Sequence, residues 1–151
     1  TCENQTWGIH MNKFKDADQG CCDGDPDVLY YRFSDALLMF AEAENSINGP
    51  TSTAYEYINM VRERGGASAL VPGSHTQAEF AEAMYNERLF EFTFECMSLY
   101  DARRLGKVAE VIAKNPLAQK NGTTYSPHME VWPIPIGEIN ANSELSQNEG
   151  W

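Results

Sequence analysis

The chain of 151 residues is 42% hydrophobic and 22% charged, a balance that suits one compact globular domain and argues against a disordered tail. Eleven basic residues against 22 acidic ones leave a formal net charge of -11, a field that disfavours nucleic acid and anionic lipid and leaves neutral or cationic partners open. No apolar run approaches the ~20 residues that a membrane-spanning helix needs, and the opening "TCENQTWGIH" lacks the basic and apolar zones of a signal peptide. The chain starts at Thr1 without a methionine, so an upstream portion is expected.

Residues 1–27 read as a loop-rich lead-in. Trp7, Ile9 and Met11 alternate weakly, as in a short extended segment, before a run of Asp, Gly and Pro. Asp16, Asp18, Asp23, Asp25 and Asp27 crowd that run, and Asp23, Asp25 and Asp27 are candidate calcium ligands because calcium takes about six to eight oxygens. The spacing is not that of an EF-hand: counted from Asp23, the sixth position is Val28 and the twelfth is Ser34. A solvated Asp-Gly-Pro turn is the alternative. Cys2, Cys21, Cys22 and Cys96 show no zinc-like C-x-x-C spacing and would allow three disulfide pairings. Cys96, among aromatics, reads as a small buried hydrophobe.

Residues 28–114 carry helical periodicity. From Val28, "VLYYRFSDALLMFAEAENSI" places Phe33, Leu37 and Ala41 on an apolar stripe, with Tyr30 and Tyr31 expected to anchor the helix in the core. Gly49 and Pro50 stop it. A second helix is expected behind a Thr53–Glu56 capping box, with Ala54, Ile58 and Val61 inward and Gly65-Gly66 at its end. Thr76 and Glu79 repeat the capping spacing ahead of a third helix expected to carry Phe80, Met84, Leu89, Phe92 and Cys96. A fourth stretch runs from about Leu99 to Lys114 with a break near Gly106, and Pro116 lies beyond its end. The short connections predict helical hairpins packed side by side, compatible with tetratricopeptide-like lengths.

Residues 115–151 form a loop and a tail, "YSPHMEVWPIPIGEINANSELSQNEGW", whose prolines predict extended or polyproline-like chain draped over the helices. Trp132, Ile134 and Ile136 are expected to supply its buried contacts. The fold class is mainly α.

The stretch "ERLFEFTFECMSLYDARRL" holds the densest charge pattern. Glu87, Glu91 and Glu95 stand four apart, which on a helix places their Cβ atoms roughly 5 to 6 Å apart in a ridge. Retaining glycosidases use a similar carboxyl spacing, but their carboxyls face each other across a cleft, whereas neighbours on one helix point the same way. Like charges at this spacing repel and call for cations, and Arg88, Arg103 and Arg104 are at hand. The pattern therefore reads as a salt-bridge brace between helices. Among aromatics, Trp7 and Tyr125 lie in loop-like segments and are candidate platforms for sugar rings, whereas Trp132 and Trp151 read as buried under the tail. His10, His75 and His128 share no segment and suggest no triad.

Four ordered stretches, "YYRFSDALLMFAEAENS", "AYEYINMVRERGG", "ERLFEFTFECMSLYDARRLGK" and "WPIPIGEINANSELSQNEGW", together resemble the C-terminal region of the SusD/RagB family. Arg32, Asp35, Glu42, Ile58, Asn59, Arg62, Arg64, Glu87, Arg88, Glu91, Glu95, Asp101, Arg104, Pro133, Pro135, Gln147, Asn148 and Gly150 match its motif positions, and the motifs run from Tyr30 to Trp151. Cys96 stands where the family pattern has glycine, Ser98 where it has arginine, and Glu149 where it has proline.

The resemblance implies a SusD-like scaffold of helical pairs and a non-enzymatic protein that captures oligosaccharides at the outer membrane of Bacteroidetes. It implies a lipid anchor outside this chain and delivery of cargo to a TonB-dependent, SusC-like transporter. No cofactor is expected, calcium at the aspartates is left as the one candidate ion, and the net charge of -11 argues against a nucleic-acid partner. Residues 1–151 would form a single C-terminal region whose first partner is the remainder of its own chain, and the main ligand site would lie outside it. In this region Glu87, Arg88, Glu91, Glu95, Asp101, Arg103 and Arg104 would brace helices, and Trp132, Pro133 and Pro135 would pin the tail. The alternative is a free-standing helical interaction module.

Overall fold

The computed structural model describes Lys13 and residues 29–151. Seven α-helices follow in order among these residues: α1 Phe33–Asn48, α2 Ser52–Arg64, α3 Gln77–Glu91, α4 Ser98–Arg104, α5 Val108–Lys114, α6 Pro116–Lys120 and α7 Ile136–Ala141. A short 3-10 turn, Pro127–Glu130, precedes α7, and the described residues contain no strand.

The helical core is built by α1, α2 and α3. Leu38 of α1, Tyr55, Ile58 and Val61 of α2, Phe80 and Met84 of α3, and Phe92 behind it form one buried cluster. Their spacing on each helix is the three-to-four residue period that turns one face inward. The α1–α2 hairpin is tight: Gly49 takes a positive φ of 81°, and Thr51 follows Pro50 as the N-cap of α2. Thr51 Oγ1 accepts from the Ala54 amide at 3.3 Å and donates to Glu44 of α1 at 2.9 Å. The capping box expected at Thr53 and Glu56 does not form, because the hairpin leaves no slack and the hydroxyl already held by α1 does the capping. At Thr76 the expected box is present. Its hydroxyl accepts from the Glu79 amide at 3.3 Å, and Glu79 Oε2 accepts from the Thr76 amide at 2.8 Å. That backbone hydrogen bond from Thr76 is the main reason the Glu79 carboxyl sits below its ordinary pKa.

Several expectations about α1 and α3 are corrected. The first helix begins at Phe33, not near Val28, because Arg32 is extended (φ -128°, ψ 162°) and its guanidinium is drawn to the far end of α3. Tyr30 and Tyr31 are 83% and 77% exposed and anchor nothing in this core, and Phe33 is exposed as well. The third helix stops at Glu91, short of Cys96: Phe94 and Cys96 both take positive φ (67° and 62°), and neither residue is helical. Cys96 is exposed, not buried. The left-handed backbone at Cys96 is what the glycine of the family pattern would adopt without a Cβ penalty.

Past α3 the chain thins. Gly106 at φ 64° separates α4 from α5, as the sequence predicted, and Lys107 reaches back to Glu82 of α3 at 2.5 Å. Pro116 opens α6 at its first turn, with Asn115 Oδ1 accepting from the amides of Leu117 and Ala118, so helical structure resumes where the sequence reading placed its end. The tail is extended at Val131–Pro135 but helical in α7. Trp132 and Ile136 are exposed, and only Ile134 of the expected trio is partly buried. Residues past Val108 contribute no buried side chain.

Candidate functional site

The motif charges fold into two ion-pair networks that meet at the C-terminal end of α3. In the first, Arg88 is 3% exposed and lies between two buried carboxylates. Its Nε donates to Asp101 Oδ2 of α4 at 2.9 Å and its Nη1 to Asp35 Oδ1 of α1 at 2.8 Å. Arg104 extends the chain of charges: its Nε donates to Asp101 Oδ1 at 2.8 Å and its Nη2 to Glu42 at 2.8 Å. The pairing with Glu42, seconded by Asp101, raises the Arg104 guanidinium above its already high ordinary pKa. Each buried charge here is compensated and hydrogen-bonded, the condition under which burial is tolerated.

In the second network Arg32 donates to Glu91 Oε1 at 2.6 Å and to both oxygens of Glu95, at 2.8 and 3.1 Å. Arg64 of α2 reaches Glu91 from the other side at 2.5 Å, and Lys13 pairs with Glu95. Arg32 Nη2 and Lys13 Nζ also donate to the Glu91 carbonyl, at 3.0 and 2.5 Å, so cations satisfy a helix-end carbonyl that would otherwise be orphaned. Burial works to raise the Glu95 carboxyl, but the hydrogen bonds from Arg32 and Lys13 outweigh it and leave its pKa lowered. Burial likewise opposes the Arg32 charge, and the hydrogen bonds to Glu95 and Glu91 overcome it and raise Arg32. Phe92 joins the two networks, with Arg32 and Arg88 guanidiniums 5.0 and 4.9 Å from its ring centroid.

The glutamates are thus carboxylates held by arginines, but the partners differ from those expected. Glu87 pairs with Arg62 of α2 at 2.6 Å. Glu95 is off the helix and is linked to Glu91 through Arg32 and Lys13. Neither Arg103 nor Arg104 touches the glutamate ridge: Arg104 binds Asp101 and Glu42, and Arg103 Nη2 donates to the Met129 carbonyl at 2.9 Å while its guanidinium lies 4.4 Å from the Trp132 ring centroid. The missed partners, Arg32, Arg62 and Arg64, were visible as motif residues. The usable signal was the Arg62-x-Arg64 pair closing α2, which suits a carboxylate ridge on a neighbouring helix.

Three carboxamides carry roles that no periodicity reveals. Asn59 accepts from the Leu70 amide at 2.7 Å and donates to the Leu70 carbonyl at 2.9 Å. Gln147 does the same to Ile134, at 2.8 and 2.9 Å, while Asn148 donates to the Trp132 carbonyl at 2.7 Å. These contacts hold the tail. Pro133 is exposed, and Pro135 precedes α7 as its cap residue. Trp132 and Trp151, expected to be buried, are 63% and 50% exposed. The Trp151 indole donates to the His128 carbonyl at 3.0 Å, and Gly150 is required at φ 89° because a Cβ there would fall 2.7 Å from His128 Cβ. Tyr125 is partly exposed, and its hydroxyl donates to Glu130 at 3.0 Å, which raises the phenol pKa.

Trp7 and the calcium candidates Asp23, Asp25 and Asp27 lie outside the described residues. Among the described residues no group of three His, Cys, Asp or Glu side chains is placed to hold a metal ion. No described helix is long and apolar enough to cross a membrane.

A helical scaffold cross-braced by motif arginines and carboxylates defines the class, and the comparisons give the family: the SusD family profile matches residues 2–151, and the chain belongs to that family. It is 35% identical over 125 residues to SusD-like protein P25 of Formosa agariphila, covering 80% of this chain and 23% of that one. It is 28% identical over 129 residues to the starch-binding protein SusD of Bacteroides thetaiotaomicron, covering 84% and 22%. Among solved structures, a SusD homolog from Bacteroides thetaiotaomicron superposes with a TM-score of 0.70 at 29% identity, covering 81% of this chain and 26% of that one. The surface glycan-binding protein A of the same species superposes at 0.64 and 29% identity, covering 79% and 24%. The chain therefore spans about a quarter of the length of the relatives it matches.

Proposed function

We propose that this chain is the C-terminal helical region of a cell-surface protein that captures oligosaccharides for import and does no chemistry on them. The observation that carries the reading is membership of the SusD family, together with similarity to proteins named as starch-binding and surface glycan-binding. The charge arrangement supports a binding role over a hydrolytic one. Glu87, Glu91 and Glu95 are each engaged by arginine, whereas a glycosidase needs one carboxyl free to give a proton and another facing it across a substrate cleft. In this reading the whole protein sits on the extracellular face of the outer membrane by a lipid anchor and passes its cargo to a TonB-dependent, SusC-like transporter. Capture rests on aromatic faces stacking on sugar rings and hydrogen bonds to hydroxyls. Tyr125 is the site within the described residues that this chain offers, Trp7 is a second candidate, and the aspartates at 23, 25 and 27 would hold calcium if an ion takes part.

The test is isothermal titration of the full-length protein against a panel of oligosaccharides, run beside a reducing-sugar assay. Binding of at least one glycan without release of reducing ends is the expected result. Release of reducing ends that is abolished by Glu91→Gln or Glu95→Gln would overturn it in favour of an enzyme, and silence across the panel would overturn glycan capture.

A further inference from the structure

The tail folds around a hollow that the ion-pair networks do not touch. Ser126, His128 and Val131 from one stretch and Asn148 and Glu149 from the other enclose about 410 Å³. That volume lies within the roughly 300 to 1,000 Å³ typical of small-ligand pockets. The walls are tied by contacts to backbone. Gln147 Oε1 accepts from the amides of Ile134 and Asn148 at 2.8 and 2.9 Å, Asn148 Nδ2 donates to the Trp132 carbonyl, and the Trp151 indole donates to the His128 carbonyl. A Cβ at Gly150 would strike His128, so the close approach of that backbone sets the wall. The hollow is thus ordered before any ligand arrives, which favours binding.

The polar groups that line it are not engaged elsewhere. Among the described residues the Ser126 hydroxyl, the His128 ring nitrogens, Asn148 Oδ1 and the Glu149 carboxylate have no hydrogen-bond partner. An anion would meet a carboxylate here and no lysine or arginine. A metal ion would find no group of three His, Cys, Asp or Glu side chains among the described residues. A neutral polyol suits the set, because each hydroxyl both donates and accepts, and a carboxylate can accept from two adjacent hydroxyls. Trp151 stands beside the hollow, 50% exposed and with its ring centroid 4.7 Å from that of His128. Its N–H is already bound to a carbonyl, so what it offers a ligand is apolar ring surface, on which the C–H face of a pyranose packs.

We propose that this hollow is a separate contact for glycan within the tail, taking one neutral sugar residue. Glu149 accepts from adjacent hydroxyls, Ser126 and Asn148 Oδ1 complete the hydrogen bonds, and the Trp151 ring flanks the sugar. The inference rests on the reading of this protein as one that captures glycans, and goes beyond it by placing a subsite in the last residues of the chain. Glu149 makes the subsite particular to this sequence: the family pattern has proline there, whose side chain neither donates nor accepts.

The experiment is carbodiimide footprinting of the full-length protein with glycine ethyl ester, read at Glu149 by mass spectrometry. The probes are malto-, xylo-, manno- and galacto-oligosaccharides, with oligogalacturonate as the acidic counterpart and calorimetry run in parallel. Without sugar, Glu149 should label at nearly its rate in denaturant. With a bound neutral oligosaccharide at about ten times its Kd, labelling should be about tenfold slower. Ser126→Ala breaks no contact that holds the tail, and it should raise the sugar concentration for half-protection about fivefold, the effect of one hydrogen bond. Slow labelling before sugar is added would mean that the hollow is covered, and overturns the proposal. Unchanged labelling under a sugar that calorimetry shows bound overturns it too while leaving glycan capture standing, as does a midpoint that Ser126→Ala fails to move. Protection by oligogalacturonate alone overturns the choice of a neutral sugar. Silence in calorimetry across the panel overturns glycan capture and this inference with it.

Discussion

The two halves of this chain are stabilised by different physics. From Arg32 to Asp101 the structure buries a hydrophobic cluster and laces it with ion pairs that link α1, α2, α3 and α4, so that one arginine, Arg88, touches two helices besides its own. Past Val108 no described residue is buried, and order rests on side chains that satisfy single stretches of backbone: Gln147 on Ile134, Asn148 on Trp132, Arg103 on Met129. The first half holds the hydrophobic cluster and the buried ion pairs. In the second half the hydrogen bonds set the path of the chain more than they supply stability, since each exposed bond nets only about 1 kcal/mol or less.

If that contrast is right, substitutions should rank accordingly. Arg88→Ala should be the most damaging, costing about 3 to 5 kcal/mol in urea denaturation, because it strands Asp35 and Asp101 as buried unpaired charges. Glu95→Gln comes next, at roughly 1 to 2 kcal/mol at neutral pH. Its pH dependence has a definite sign. The Glu95 pKa is lower in the folded state, so its contribution is present above the ordinary carboxylate value of 4.5 and fades as the pH falls through the depressed folded value. Wild type should therefore lose stability over that acid window, and the variant should show a shallower loss there; parallel curves would remove Glu95 from the account. Cys96→Gly should stabilise by about 1 kcal/mol, since it relieves a left-handed backbone at an exposed residue and gives up no packing. Trp132→Ala should be the mildest in this chain, costing about 0.5 kcal/mol through loss of the Arg103 contact. Should Trp132→Ala rival Arg88→Ala, the tail would be part of the core and the contrast would fail.

Much of the helical half was legible in the residues. Apolar spacing placed Ala54, Ile58, Val61, Phe80 and Met84 inward, Thr76 with Glu79 announced a cap that formed, and Gly106 marked a break that is there. These features are local: a cap, a period or a glycine acts within a few residues of itself. The errors were of another kind. Tyr30 and Tyr31 fitted an apolar stripe but precede a helix whose start is set by Arg32, and that start depends on Glu91 and Glu95 some sixty residues away. Cys96 looked buried because its neighbours were aromatic, whereas the turn that ends α3 rotates it outward.

The order of motifs was enough to name the family and the helical class, because motif identity and helix periodicity are properties of neighbouring residues in the chain. Which arginine meets which glutamate was not available there. Arg103 and Arg104 are nearer in sequence to the ridge, but Arg32, Arg62 and Arg64 reach it, since pairing follows the packing of α1 and α2 against α3. The exposure of Trp132 and the hollow beside Glu149 belong to the same category: burial is a relation between elements distant in the chain, and it exists only once those elements are placed.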